Sequence, residues 1–349
     1  MNALHETLEI DSNSMHVSHR AQALVKASRY ADAALLYEQA LQEVEHHEEA
    51  VLRIKYDYGC CLTLLGKLIK GLSYISGVIS YAANKGDYLV IAASSLSRKV
   101  NILQKIQKIE SNLPATNCHK IFDLINRVEQ WSLDTGIIWL RTCLLLDKAE
   151  MLLVIGKKKE ALTAAEESYG LKKEHDATGY HLGDHARKVA KLARIIGDYE
   201  RAVSVLDELD ATDAFFSPLC NAKLLRERVL ILNARKPPRT DEALAAARHM
   251  IQYAEKIQGA HNTFYLYALL AETALAAHSL DEAKHALCMV CHAVLHDDTY
   301  YRNYLLRRSI AYFLNIKKDW MKDSTNKHSK DLQKCVDEYI KKTIRALQG

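Results

Sequence analysis

Pairs of small residues twelve positions apart recur along the sequence, and this spacing most constrains how the chain can fold. In each pair, one small residue lies in an apolar segment and the other lies near the start of the next apolar segment. Two antiparallel helices can pack closely where they cross only if the side chains at the crossing are small. The spacing therefore predicts a series of tightly packed helical hairpins. The pairs are Ala21/Ala33, Gly59/Gly71, Ala149/Ala161, Ala190/Ala202 and Ala271/Ala283.

Glycines between paired segments, and a fixed period, support the same interpretation. Gly156 and Gly197 each follow a first apolar segment and precede a short charged turn. Glycine takes the left-handed conformation that ends a helix and lets the chain turn back. The small residue of the second helix recurs every 41 residues, at Ala161, Ala202 and Ala243. A period of this size is typical of a solenoid, so the predicted fold is all-α.

In these features the chain resembles the tetratricopeptide (TPR) repeat family, with a longer repeat of about 40 residues. The resemblance covers most of residues 15–296 and is closest at residues 148–209 and 267–295. It implies an α-α superhelix of stacked helical hairpins, in which the first helices line a concave groove. It also implies protein–protein binding as the usual role.

The sequence predicts three segments. We expect residues 1–14 to form a flexible leader, residues 15–316 to form the TPR-like solenoid, and residues 317–349 to form a loop and a C-terminal helix. The last helix is predicted to cap the open end of the stack. Its alternative is an amphipathic helix that docks into a partner. The predicted apolar stripe of this helix contains Leu332, Val336, Tyr339 or Ile340, and Ile344.

Composition argues against several classes of protein. No run of 18 uninterrupted apolar residues occurs, so we expect no membrane span. The N-terminal residues lack a basic start followed by an apolar core, which argues against a secretory signal. The eight cysteines lie scattered within helical patterns, as expected for reduced thiols of a cytoplasmic protein, while a nuclear location stays open. The net charge of +4 gives no general argument for nucleic acid.

No specific catalytic motif is present, and two sets of histidines are candidates for metal binding or catalysis. The phosphate-binding, nucleophile-elbow and HExxH patterns are all missing from the sequence, so we expect no enzymatic activity and no cofactor. His181 and His185, with His175 nearby, share a predicted helix face, but Gly183 weakens that helix. The second set lies on one face of a predicted helix, where we favour a polar outer surface over a zinc site because tight sites take ligands from several elements. Its members are His285, Cys288, His292 and His296.

The candidate binding residues lie on the first helices. If Ala190 packs against the neighbouring helix, the inward face of that helix carries three cations at helical spacing. These cations are suited to the carboxylates of an acidic peptide, and arginine can pair with them bidentately. The alternative is that they are solvated and pair with neighbours such as Asp184 or Glu200. The predicted groove residues are Asp184, Arg187, Lys191 and Arg194, with Arg53, Tyr56, Tyr265 and Glu272 at matching positions of other hairpins.

The leading hypothesis is a non-enzymatic scaffold, adaptor or complex subunit that binds a segment of another protein or peptide. The basic residues favour an acidic partner. One alternative is a nucleic-acid-associated helical repeat protein that uses Arg98, Lys99, Lys105 and Lys108. Another is a peptide-sensing regulator in which the repeats close around a small peptide signal. The sequence makes no prediction of partner identity or oligomeric state.

Overall fold

The structure, a computed structural model, consists of helices joined by short turns. It describes residues 16–44, 48–82, 138–176, 181–212, 216–257, 260–296, 302–320 and 327–348, with short stretches and single positions between 91 and 136. Within those ranges no residue is in a β-strand. The chain divides into two compact units, Met1–Ser217 and Pro218–Gly349, called unit 1 and unit 2 below. The predicted leader, residues 1–14, lies outside the described residues.

In unit 1, helical residues 16–26 and the first named helix form the first hairpin. The six named helices that follow pair in chain order into three more hairpins. Helical positions at 91–106 and 125–134 lie between the second and third hairpins with named helices. The named helices are α1 (Tyr30–Glu43), α2 (Glu48–Leu64), α3 (Leu68–Ala82), α4 (Ile138–Val154), α5 (Lys158–His175), α6 (Leu182–Ile196) and α7 (Tyr199–Asp210).

Unit 2 contains three more hairpins. Each pairs a first helix with the helix that follows it in the chain. The helices are α8 (Pro218–Ala234), α9 (Thr240–Ala254), α10 (Ala260–Ala276), α11 (Leu280–Leu295), α12 (Arg302–Trp320) and α13 (Lys327–Gln348).

The small residues predicted to meet at the helix crossings are buried, which confirms the packing prediction. The alanines of all the predicted pairs are 0% exposed. Helices α2 and α3 approach each other closely, because a Cβ atom built on Gly71 would lie 2.9 Å from the carbonyl oxygen of Gly59. A larger side chain at this crossing would force the two helices apart.

The predicted turns are confirmed as well. Gly156 and Gly197 have φ values of 84° and 97°, in the left-handed region that favours glycine. The Gly197 N–H donates to the carbonyl oxygens of Ala193 and Arg194, which closes the end of α6. The next helix starts at once, because the Asp198 side chain accepts from the backbone N–H of Arg201 at 3.0 Å. A cap and a left-handed glycine thus make the hairpin turn short.

Each unit has two layers of helices. One layer contains the first helix of each hairpin and the other contains the second helix, as contacts between side chains show. In unit 1, Arg201 Nε on α7 donates to Glu166 Oε1 on α5 at 2.9 Å, so these second helices are neighbours. In unit 2, Asn233 Nδ2 on α8 donates to Thr273 Oγ1 on α10 at 3.1 Å, so these first helices are neighbours. In both units one side of the first-helix layer therefore faces away from the second helices. We call this side the first-helix face.

The C-terminal region differs from the prediction in detail. Helix α12 ends at Trp320 and α13 begins at Lys327, so α12 extends into the start of the segment 317–349, where a loop was predicted. Lys317 Nζ donates to Asp337 Oδ1 on α13 at 2.7 Å, which stabilises the extra turn of α12. Helix α13 packs against α11 and α12. Ile344, predicted to be buried, is 38% exposed, and Thr343 is buried instead because its hydroxyl is satisfied by the carbonyl oxygen of Tyr339 at 2.7 Å.

A buried polar contact joins three helices of unit 1. Ser168 Oγ on α5 donates to the carbonyl oxygen of Thr142 on α4 at 2.6 Å, and it lies 2.8 Å from Nδ1 of His185 on α6. Burial lowers the pKa of His185 to about 4, because the charged imidazolium is costly there. His185 is therefore neutral in the folded chain near pH 7, and it serves as a structural partner of Ser168.

This burial predicts a specific dependence of stability on pH. An unfolded histidine has a pKa near 6.5, so below about pH 6.5 the unfolded chain binds a proton that the folded chain does not bind until about pH 4. Stability should fall as the pH falls, and His185 alone should cost about 2 kcal/mol between pH 8 and pH 5. Urea unfolding of the wild type and of His185→Gln at both pH values measures this. His249→Gln, at an exposed position, should keep the wild-type pH dependence. An equal loss in all three proteins would contradict the assignment.

Candidate partner-binding faces

Helix α6 carries a charged part of the first-helix face of unit 1. Its apolar and small residues are buried, and the sequence-predicted positions remain partly accessible. This follows from helical periodicity, because side chains three or four positions apart share one face. The accessible positions include Asp184, Arg187, Lys191 and Arg194, all half-buried.

Two of these cations have carboxylate partners in the folded chain. Lys191 Nζ donates to Glu150 Oε1 on α4 at 3.1 Å, and Arg187 lies 3.5 Å from Asp184 Oδ1. Glu150 also accepts from Lys188, whose side chain is only 8% exposed. Sequence reasoning missed Lys188, although Glu150 stands at the position of α4 that matches the cations of α6. The face therefore contains an ionic network in which two lysines of α6 share one carboxylate of α4.

A second polar cluster lies beside this network. The Tyr56 and Cys60 side chains of α2 and the Cys143 side chain of α4 surround the guanidinium of Arg98. Burial raises the pKa of the Tyr56 hydroxyl and of both thiols, and Arg98 opposes that rise. Arg98 Nε is buried and has no hydrogen-bond partner among the described residues. Arg53, also predicted in the groove, is exposed on α2.

The position of Arg98 bears on the alternative hypothesis that basic residues of this region bind nucleic acid. Arg98 lies half-buried among thiols and a phenol, whereas phosphate contacts need accessible cations. Lys99 is half-buried, and Lys105 and Lys108 lie outside the described residues.

The first-helix face of unit 2 is built from tyrosines. Tyr265 of α10, a predicted groove residue, has its hydroxyl 3.3 Å from that of Tyr304 on α12. Tyr312 of α12 donates to the Ala268 carbonyl oxygen on α10 at 2.9 Å. The Arg308 guanidinium stands over the Tyr304 ring, 6.0 Å from its centroid. The contribution of α12 was not anticipated, although its tyrosines and arginine are spaced four residues apart and so share one helix face.

Glu272, the other predicted groove residue of unit 2, lies on the same face of α10 as Tyr265 and Ala268. Its side chain is exposed and makes no ion pair or hydrogen bond with any residue that the structure describes. The surrounding helices remove enough water to raise the pKa of its carboxyl group, and Arg226 on α8 opposes that shift. Arg226 is itself engaged, because its Nη1 lies 3.1 Å from Oε1 of the buried Glu227.

Neither histidine set is gathered into a metal site among the described residues, where no three histidine, cysteine or acidic side chains could hold an ion. His181 is exposed, and His185 is buried against Ser168. The second set lies on the outer side of α11, where the rings of two of its members have centroids 4.4 Å apart. All four of its residues are exposed, namely His285, Cys288, His292 and His296.

None of the helices that the structure describes is long and apolar enough to cross a membrane.

Comparison with known proteins supports the architecture. No model of a known protein family matches the sequence, and no curated protein sequence is similar to it. Among solved structures, the chain is similar to a signal transduction ATPase with a tetratricopeptide repeat sensor from Pyrococcus horikoshii, with a TM-score of 0.56 and 12% identity over 98% of this chain and 48% of that chain. It is also similar to the apo form of RapI, with a TM-score of 0.52 and 11% identity over 80% of this chain and 97% of that chain. The chain thus has a TPR-like fold of stacked helical hairpins.

Proposed function

We propose that the chain is a non-enzymatic scaffold, adaptor or complex subunit, and that its first-helix faces bind an extended segment of another protein. The observation that carries this proposal is the ionic network on α4 and α6 of unit 1. Its charged side chains are held half-buried on an accessible face. The TPR-like fold supports protein binding as the general role.

The chemistry of this face suits an acidic segment. Arg187 lies 3.5 Å from the Asp184 carboxylate and Lys191 lies 3.1 Å from the Glu150 carboxylate, and an incoming carboxylate can join or replace these partners. Both cations are already confined, with side chains 19% and 24% exposed, so binding orders them less than it would order free surface side chains. The segment gains charge-assisted hydrogen bonds at a small entropic cost.

Display of random peptides on phage, selected against the full chain, tests this proposal. Arg187→Glu combined with Lys191→Glu is expected to lower the affinity of the selected peptides at least tenfold, about 1.4 kcal/mol. The milder double variant, Arg187→Gln with Lys191→Gln, should also lower the affinity of the selected peptides. It places no new carboxylates beside Glu150.

The matched control reverses two cations elsewhere in unit 1. Lys157→Glu with Lys159→Glu changes exposed residues at the turn into α5 and should leave peptide affinity within twofold. Equal loss in both double variants would indicate a general charge effect and contradict the proposed site. Binding of generic RNA that weakens steeply with salt, without peptide enrichment, would favour the nucleic-acid alternative.

A further inference from the structure

The first-helix face of unit 2 presents a carboxylate without a cation. Glu272 has no ion pair and no hydrogen bond within the described part of the chain, although it stands among side chains that remove water from it. Arg226 on α8 is near enough to lower the pKa of Glu272, but its Nη1 lies 3.1 Å from Oε1 of the buried Glu227. A carboxylate that has no cation from its own chain can form an ion pair with a cation of a binding partner. Glu272 could therefore form an ion pair with a cation that a binding partner supplies.

The groups around Glu272 are aromatic. Tyr265 lies two turns earlier on the same face of α10, and its hydroxyl meets that of Tyr304. The Tyr312 hydroxyl is fixed to the Ala268 carbonyl oxygen, one helical turn before Glu272. These contacts hold three half-buried tyrosines beside one carboxylate.

This combination is chemically suited to a cation. The face of a tyrosine ring attracts ammonium and guanidinium groups, and a carboxylate pairs with them directly. The chain already shows the first interaction at this place, since the Arg308 guanidinium stands over the Tyr304 ring. Arg308 makes this contact with the Tyr304 ring and forms no ion pair with Glu272 in the described part of the chain.

We propose that Glu272, flanked by Tyr265, Tyr304 and Tyr312, binds a lysine or arginine side chain of the partner segment. The inference deepens the proposed function and rests on it, because it names the chemistry that unit 2 recognises. It differs from the inference for unit 1, where cations on the protein favour acidic side chains of the partner.

The experiment uses peptides selected from the random library by the full chain. In a selected peptide, each arginine is replaced in turn by citrulline, which has nearly the same shape but no charge. One replacement is expected to lower the affinity about tenfold, and Glu272→Gln should lower the affinity of the original peptide by a similar factor. If the two groups pair, the citrulline peptide should bind wild type and Glu272→Gln with nearly equal affinity.

Two further variants serve as controls. Glu242→Gln removes an exposed carboxylate on α9, in the second-helix layer, and should leave the affinity within twofold. Tyr304→Phe keeps the aromatic ring and should retain binding, whereas Tyr304→Leu removes the ring face and should weaken it severalfold. Glu272→Gln is not expected to change the melting temperature, because the side chain is exposed and unpaired.

The outcomes separate this inference from the proposed function. Selected peptides that bind Glu272→Gln within twofold of wild type would overturn the inference and leave the proposed function standing. Enriched peptides without lysine or arginine would overturn it as well. If no peptide is enriched, the proposed function fails and the inference fails with it.

Discussion

Replacing Glu150 by leucine is expected to lower the free energy of unfolding by about 3 kcal/mol, because the variant removes a carboxylate that pairs with a nearly buried lysine. Lys188, 8% exposed, and Lys191 both donate to this one carboxylate, which is itself only 15% exposed. Removing it leaves the Lys188 ammonium on α6 with the cost of burial and without its partner from α4. Urea unfolding of the full chain measures the change.

Two comparisons identify the cause of this loss. Glu167→Leu removes the partner of Arg141, but that carboxylate is 43% exposed, so the expected loss is below about 1 kcal/mol. Combining Glu150→Leu with Lys188→Met removes both buried charges and should restore most of the lost stability. A loss that is equal for Glu150→Leu and Glu167→Leu would contradict the role assigned to the buried pair.

Replacing Gly71 by leucine is expected to destabilise the chain by about 3 kcal/mol, because no space exists for a side chain at the α2–α3 crossing. Even a single Cβ atom at Gly71 would lie 2.9 Å from both the Gly59 carbonyl oxygen and the Thr63 hydroxyl. The helices would have to separate, with loss of the packing around them. Thermal and urea unfolding both report this change.

Gly77 provides the control on the same helix. A Cβ atom at Gly77 would meet nothing within 4 Å, and the residue is exposed. Leucine there should leave stability unchanged or raise it by up to about 1 kcal/mol, since glycine is a poor helix former. Destabilisation by both substitutions to a similar degree would indicate that helix α3 tolerates no leucine at all, and would contradict the crossing argument.

The fold could be predicted from sequence because its determinants are local and periodic. Small residues such as Ala190 and Ala202 must meet for the hairpins to close, and Gly197 must turn the chain, so twelve-residue spacing and a 41-residue period carry the architecture. The accessible positions of α6 were predictable for the same reason, because residues three or four positions apart lie on the same face of a helix. Long-range information enters only through the repeat itself.

The remainder depends on which helices become neighbours. Glu150 and Lys188 are 38 residues apart, and their contact exists only because α4 and α6 stack side by side. Tyr304 was missed because α12 lies beyond the last recognised repeat, yet it completes the face of α10. Helical spacing placed Ile344 on the apolar stripe of α13, yet it is 38% exposed, whereas the adjacent Thr343 is buried with its hydroxyl bonded to the Tyr339 carbonyl oxygen. Helical periodicity alone does not show which of two adjacent residues turns toward the core.

The central claim is that the first-helix face, rather than the second-helix layer, holds the partner segment. Photo-crosslinking tests it most directly, with p-benzoylphenylalanine placed at Leu153 on the first-helix face of α4 or at Thr163 on the exposed side of α5. A peptide selected by the full chain is irradiated with each variant, and the crosslinked products are mapped by mass spectrometry. We expect crosslinks from position 153 and none above background from position 163. Crosslinks from position 163 alone would place the partner on the second helices and contradict the account.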